Sequence, residues 1–137
     1  MSAPVFLDTM PLLALTERGD AWHARSRDVQ LLLTRDATPL LMSEWVLTEY
    51  LNACSRPPLR QAACRVIQRL EASSRTEIVH ATHAAWTAAR EFFESRQDKE
   101  WSLVDCASML LCHERGIRRV FTHDHHFMQA GFEILLA

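Results

Sequence analysis

Five short apolar runs, each divided from the next by a longer stretch of helical periodicity, constrain the fold more than any other feature of this chain. Pro4-Val5-Phe6-Leu7, Pro39-Leu40-Leu41-Met42, Ile78-Val79, Val120-Phe121 and Ile134-Leu135 read as strands. The longer segments between them, roughly 12 to 35 residues, are too long for hairpins and suit crossover helices. Helix boundaries fill the gaps. Thr9 with Pro11, Asp20, Ser43 with Glu44, and Ser102 open helices, a further helix runs from about Thr82 to Arg96, Pro57-Pro58 separate two more, and Gly116 ends one. The resulting order, βα(α)βααβααβαβ, predicts an α/β fold: three layers, α/β/α, around a mostly parallel sheet of four to five strands covered on both faces. Ligands of such sheets bind at the carboxyl ends of the strands.

With three glycines and five prolines in 137 residues, nothing divides the chain, and 1–137 reads as one domain. A 48% hydrophobic and 23% charged composition excludes a disordered tail or a fibrous repeat. No basic segment precedes the first apolar run, which Asp8 interrupts, and no stretch of about 18 apolar residues exists, so a cytoplasmic protein with no membrane partner is expected. Cys54, Cys64, Cys106 and Cys112 form no close pair and read as small buried residues.

Four acids are placed suggestively. Asp8 directly follows the first strand and Asp124 stands three residues after Phe121, so both emerge on one sheet edge. Glu49 lies in the helix after the second strand, in an i, i+3, i+4, i+7 stripe with Val46, Tyr50 and Ala53, where a carboxylate needs a partner. Asp105 stands three residues after Ser102, the spacing of a capping box. Strand spacing alone leaves open whether Asp105 reaches the same edge. Asp8 and Asp124 also suit helix N-caps, a role compatible with a site.

In order and spacing these strings resemble the PIN-domain ribonucleases, and most closely the VapC-type toxins of bacterial toxin–antitoxin pairs. The resemblance rests on Phe6-Leu7-Asp8-Thr9, Thr48-Glu49-Tyr50-Leu51-Asn52, Trp101-Ser102-Leu103-Val104-Asp105-Cys106-Ala107-Ser108 and Phe121-Thr122-His123-Asp124-His125-His126-Phe127. It implies a PIN-like fold and maps the four acids of the family onto Asp8, Glu49, Asp105 and Asp124. Gathered at one site, such acids repel by roughly 2 to 3 kcal/mol per pair at about 6 Å, and a divalent cation removes the cost. Oxygen ligands favour Mg²⁺ or Mn²⁺.

By this resemblance Asp8, Asp105 and Asp124 hold the metal, and Glu49 orients or deprotonates the attacking water. Thr9, Ser102 and Thr122 carry hydroxyls beside the acids and are candidates to steady them. The implied activity is metal-dependent endonucleolytic cleavage of single-stranded or loop RNA, with a small antitoxin and a homodimer as partners. An RNA-processing nuclease with no antitoxin and a non-catalytic metal or nucleic-acid binding module are the alternatives.

A phosphorylated receiver domain also sets acids on such an edge. It requires an aspartate after the third strand and a lysine after the fifth, whereas His80-Ala81-Thr82 follow Val79 and no lysine follows Lys99. His113, His123, His125 and His126, with His123 and His126 at helical i, i+3 spacing, invite a zinc reading. No cysteine joins them at zinc spacing, which leaves local positive charge as their expected use.

The net charge of −2, from 17 acids and 15 bases, argues against binding nucleic acid through a broad positive field. Setting aside the four clustered acids leaves thirteen against fifteen. Fourteen of those bases are arginine, whose planar donor fork suits phosphate.

Overall fold

The computed structural model describes residues 2–137. Its five strands are β1 (Val5–Leu7), β2 (Leu40–Ser43), β3 (Thr76–Val79), β4 (Arg119–Phe121) and β5 (Glu133–Ile134). Its helices are α1 (Thr9–Thr16), α2 (His23–Arg35), α3 (Glu44–Ala53), α4 (Leu59–Ala72), α5 (His83–Ser95), α6 (Leu103–Arg115) and α7 (His125–Gln129). The chain order is the one read from periodicity. The strands form one sheet in the order β3-β2-β1-β4-β5, and every pairing is parallel.

β1 is the central strand, with Phe6 opposite Leu41 on one side and Val120 on the other. Side chains alternate across a strand, yet Val5, Phe6 and Leu7 are all buried, so both faces of the sheet are covered. On one face Leu7, Leu40 and Phe121 floor a groove of about 560 Å³ walled by α1, α2 and α4. The connection from β3 to β4 recrosses the sheet in the opposite direction. A right-handed crossover therefore sets α5 and α6, which pack together, on the other face.

Local chemistry explains where the helices start. The Ser43 hydroxyl accepts from the Val46 amide, Thr82 does the same for Ala85, and Ser102 with Asp105 completes a reciprocal capping box. Gly116, at φ 65°, closes α6 in the left-handed conformation that glycine adopts without Cβ strain. Asp20 departs from its expected role. Its carboxylate accepts from the Trp22 amide in the turn before α2, and Trp22 occupies the cap position.

Cys54, Cys106 and Cys112 are buried as expected, whereas Cys64 is exposed. No helix among the described residues is long and apolar enough to cross a membrane.

Ser108, one turn beyond Asp105, is 1% exposed, and its hydroxyl bonds to no protein group. A buried, unpaired hydroxyl is costly, and alanine is the stronger helix former. Ser108→Ala is expected to raise folding stability by about 1 kcal/mol in urea denaturation. A loss of stability would show that the hydroxyl is satisfied in solution.

Candidate active site at the carboxyl edge of the sheet

β1 delivers Asp8 to the carboxyl edge, where its backbone amide extends the ladder by donating to the Phe121 carbonyl at 3.3 Å. Asp8 holds the cap position of α1, but its side chain makes no capping hydrogen bond to that helix. The carboxylate instead accepts from the Thr122 hydroxyl at 2.9 Å. Asp8 is only 6% exposed. Burial, more than any other influence, pushes its pKa up to about 7; the Thr9 amide and Thr122 hydroxyl oppose the rise, and the charges of Asp105 and Glu49 add to it.

Thr122 is fully buried just beyond β4. Its hydroxyl also accepts from the Asp124 amide at 3.1 Å, so a single side chain links two of the acids. Asp124 does cap a helix: its Oδ1 accepts from the His126 amide at 2.9 Å and opens α7.

Asp105 reaches the same edge for a topological reason. α6 enters β4 through the short turn at Gly116, so its carboxyl end lies at the amino edge of the sheet. Thirteen residues of helix, about 20 Å, return its first turn to the carboxyl edge. Trp101, buried before that turn, donates from its indole to Gln129 at 2.9 Å and so ties the start of α6 to α7. Asp105 Oδ2 accepts from the Ser102 amide at 3.0 Å and meets His126 Nδ1 at 3.1 Å. The Ser102 hydroxyl is committed to capping the Asp105 amide, so Ser102 contacts the carboxylate through its backbone.

Glu49 is placed differently from the stripe its spacing suggests. Val46 and Tyr50 are buried, but Glu49 and Ala53 are exposed. Tyr50 takes the inward position and bonds the Thr16 hydroxyl, which turns Glu49 toward the rim of the site. There the carboxylate accepts a short hydrogen bond from Thr9. Glu49 is thus held beside Asp8 while facing solvent.

The four histidines separate. His113 packs against Phe132 at 5.1 Å, His123 against Trp22 at 4.5 Å, and His125 is exposed. α7 begins at His125, so His123 precedes the helix and does not share a helical face with His126. Only His126 turns to the acids. One ligand atom each from Asp105, Asp124 and His126 lie within 4.8 Å of one another. The signal for this lay in the two-residue step from a capping aspartate to the histidine whose amide it caps.

Among the described residues no lysine or arginine forms an ion pair with any of the four acids. A buried carboxylate, repelled by two neighbours and lacking a fixed cation, together with oxygen donors at its rim, fits a hard divalent ion.

A three-layer parallel α/β fold with acids from the ends of β1 and β4 and from α3 and α6 defines a class, and a family profile described as the PIN domain matches residues 5–133. The chain belongs to the PIN domain family. It is similar to the 23S rRNA-specific endonuclease VapC20 of Mycobacterium tuberculosis, at 28% identity over 129 residues, which cover 93% of this chain and 95% of the relative. The crystal structure of M. tuberculosis VapC20, described as a sarcin-ricin loop cleaving toxin, matches with a TM-score of 0.79 at 26% identity over 96% of each chain. VapBC2 from Rickettsia felis, solved bound to a DNA fragment from the promoter, shares the fold with a TM-score of 0.69 at 14% identity over 97% of each chain.

Proposed function

We propose that this chain is a metal-dependent endoribonuclease that cuts single-stranded or loop RNA, and that it is the toxin of a toxin–antitoxin pair. The observation that carries the reading is the buried Asp8 carboxylate, near enough to Glu49 and Asp105 to feel their charges and tied through Thr122 to Asp124, with no lysine or arginine among the described residues paired to any of the four. Residues 1–137 act as one PIN-like domain, working in the cytoplasm as a homodimer. The similarity to an rRNA-cleaving toxin over nearly the whole chain supports RNA as substrate and an antitoxin as partner.

Asp8, Asp105 and Asp124 would hold Mg²⁺ or Mn²⁺. The bound ion supplies Lewis-acid polarisation of the scissile phosphoryl group and makes water a stronger nucleophile. Thr122 fixes Asp8 and the backbone of Asp124 in one geometry, and the capping box fixes Asp105. Glu49 stands at the solvent side, with one oxygen held by Thr9, and the other would take a proton from the attacking water. The antitoxin suits the groove between α2 and α4, whose apolar floor and rim of Arg18, Arg27, Arg69 and Arg75 match an acidic amphipathic segment.

The test is cleavage of a stem-loop RNA by purified protein in Mg²⁺, Mn²⁺ or EDTA. EDTA is expected to abolish cleavage, and Glu49→Gln to slow it by about 10²- to 10⁴-fold while Mn²⁺ still binds. Cleavage that persists in EDTA, or an unchanged rate for Glu49→Gln, overturns the mechanism.

A further inference from the structure

We propose that His126 is itself a metal ligand, and that its imidazole biases the site toward a first-row transition ion such as Mn²⁺ over Mg²⁺. The proposal rests on the metal-dependent reading above and goes beyond the acids that reading assigns.

His126 Nδ1 lies 3.1 Å from Asp105 Oδ2 and 3.5 Å from Asp124 Oδ1. Neighbouring ligands of an octahedral ion with bonds of about 2.1 Å sit about 3 Å apart. The two imidazole–carboxylate spacings are close to those of neighbouring ligands, and one ligand atom from each of the three residues lies within 4.8 Å of the other two. They come from two elements and are fixed independently of any ion. Asp105 is held by the capping box, and the His126 backbone is held by Asp124, because its amide donates to the same Oδ1 that its ring faces.

The surroundings favour a ligand over a surface histidine. Asp105 is only 13% exposed at its side chain, and His126 is 31% exposed. Asp8 adds to the charge of the site. Its nine-tenths buried carboxylate is near enough to Asp105 to be affected by its charge, and no protein cation faces it. The acids of the site thus extend from Asp105 to the buried Asp8. His126 Nδ1 faces Asp105, and in the tautomer with the ring proton on Nε2 the Nδ1 lone pair is open to a metal. His123, the other histidine beside Asp124, is occupied by Trp22.

Ligand chemistry sets the selectivity. Mg²⁺ prefers oxygen ligands in near-ideal octahedral geometry, whereas imidazole binds transition ions more readily. A purely carboxylate site would discriminate less. Replacing Oδ or water by Nδ1 at one position strengthens Mn²⁺ relative to Mg²⁺.

The experiment measures Mn²⁺ binding to the full chain by electron paramagnetic resonance, with Mg²⁺ as competitor and no RNA. Pulsed measurements on the bound Mn²⁺ report whether a nitrogen is coordinated. Wild type is expected to show imidazole nitrogen modulation, which His126→Asn loses, with the Mn²⁺-over-Mg²⁺ preference falling about tenfold. His126→Asp, which returns an oxygen ligand, is expected to bind Mg²⁺ more tightly than His126→Asn does. Circular dichroism confirms that each variant is folded, and the wild-type nitrogen signal decides the question if neither is. Bound Mn²⁺ with no nitrogen modulation in wild type, or with modulation that survives in His126→Asn, overturns the assignment and leaves the acid site standing. An unchanged Mn²⁺-over-Mg²⁺ preference in folded His126→Asn overturns it too. A wild type that binds no Mn²⁺ sinks the metal-dependent reading itself.

Discussion

Asp8→Asn is expected to abolish RNA cleavage and yet to stabilise the metal-free fold. The two effects share one cause. The carboxylate is buried beside β1, is repelled by Asp105 and Glu49, and is held by a threonine hydroxyl rather than by a cation. Asparagine keeps the shape and can accept the Thr122 hydrogen bond, but it carries no charge to desolvate. A gain of about 1–3 kcal/mol in urea denaturation at pH 8 without metal is expected. If Asp8 is a metal ligand as proposed, the cleavage rate is expected to fall by about 10³-fold or more. Saturating Mn²⁺ reverses the stability order, since it stabilises wild type by mass action and the variant far less. A variant that is both less stable without metal and fully active would remove Asp8 from the site.

Stability without metal is expected to fall as pH rises from about 4 to about 7, and to level off above that. Asp8 titrates near 3.8 in the unfolded chain and near 7 in the fold. At pH below both values the carboxyl is protonated in both states and costs nothing. Between them the unfolded chain ionises while the folded one still holds its proton, so each step upward favours unfolding. The contribution is therefore fully present below 3.8 and is lost as pH rises through about 7. The whole change approaches about 4 kcal/mol. Metal inverts this slope. An ion that binds the ionised site must displace the proton, so Mn²⁺ affinity is expected to rise about tenfold per pH unit up to about 7. Denaturation at pH 5 and pH 8, with and without Mn²⁺, checks both trends. Subtracting the same measurements on Asp8→Asn isolates this carboxyl from the histidines that titrate in the same range. Parallel profiles for wild type and variant would contradict it.

Strand order in the chain was legible because apolar runs and helical periodicity differ in period, and the edge reached by Asp8 and Asp124 followed from the strands they end. Asp105 was harder. Its place depends on the direction in which α6 enters β4, a property of two joined elements rather than of a spacing. An i, i+3, i+4, i+7 spacing includes both Glu49 and Tyr50, which stand about 100° apart on the helix and so lie on opposite margins of such a stripe. Only packing selects which one turns inward, and the Thr16 hydroxyl gives Tyr50 a partner there. The spacing of His123 and His126 alone is that of one helical face. The backbone begins its helical turn one residue before His126, at His125, which leaves His123 outside and frees His126 to face Asp105.

The position of β1 in the sheet ranks the parts of the site by how they are lost. Asp8 hangs from the strand with neighbours on both sides and helices on both faces, so it moves only when the whole domain opens. Glu49 stands on an exposed flank of α3, and His126 belongs to a five-residue helix beside the edge strand β5. Both ride on elements that can loosen locally. A fluctuation short of unfolding therefore displaces Glu49 and the His126 imidazole while the buried carboxylate stays, and the proposed chemistry would pause without the anchor of the site being surrendered.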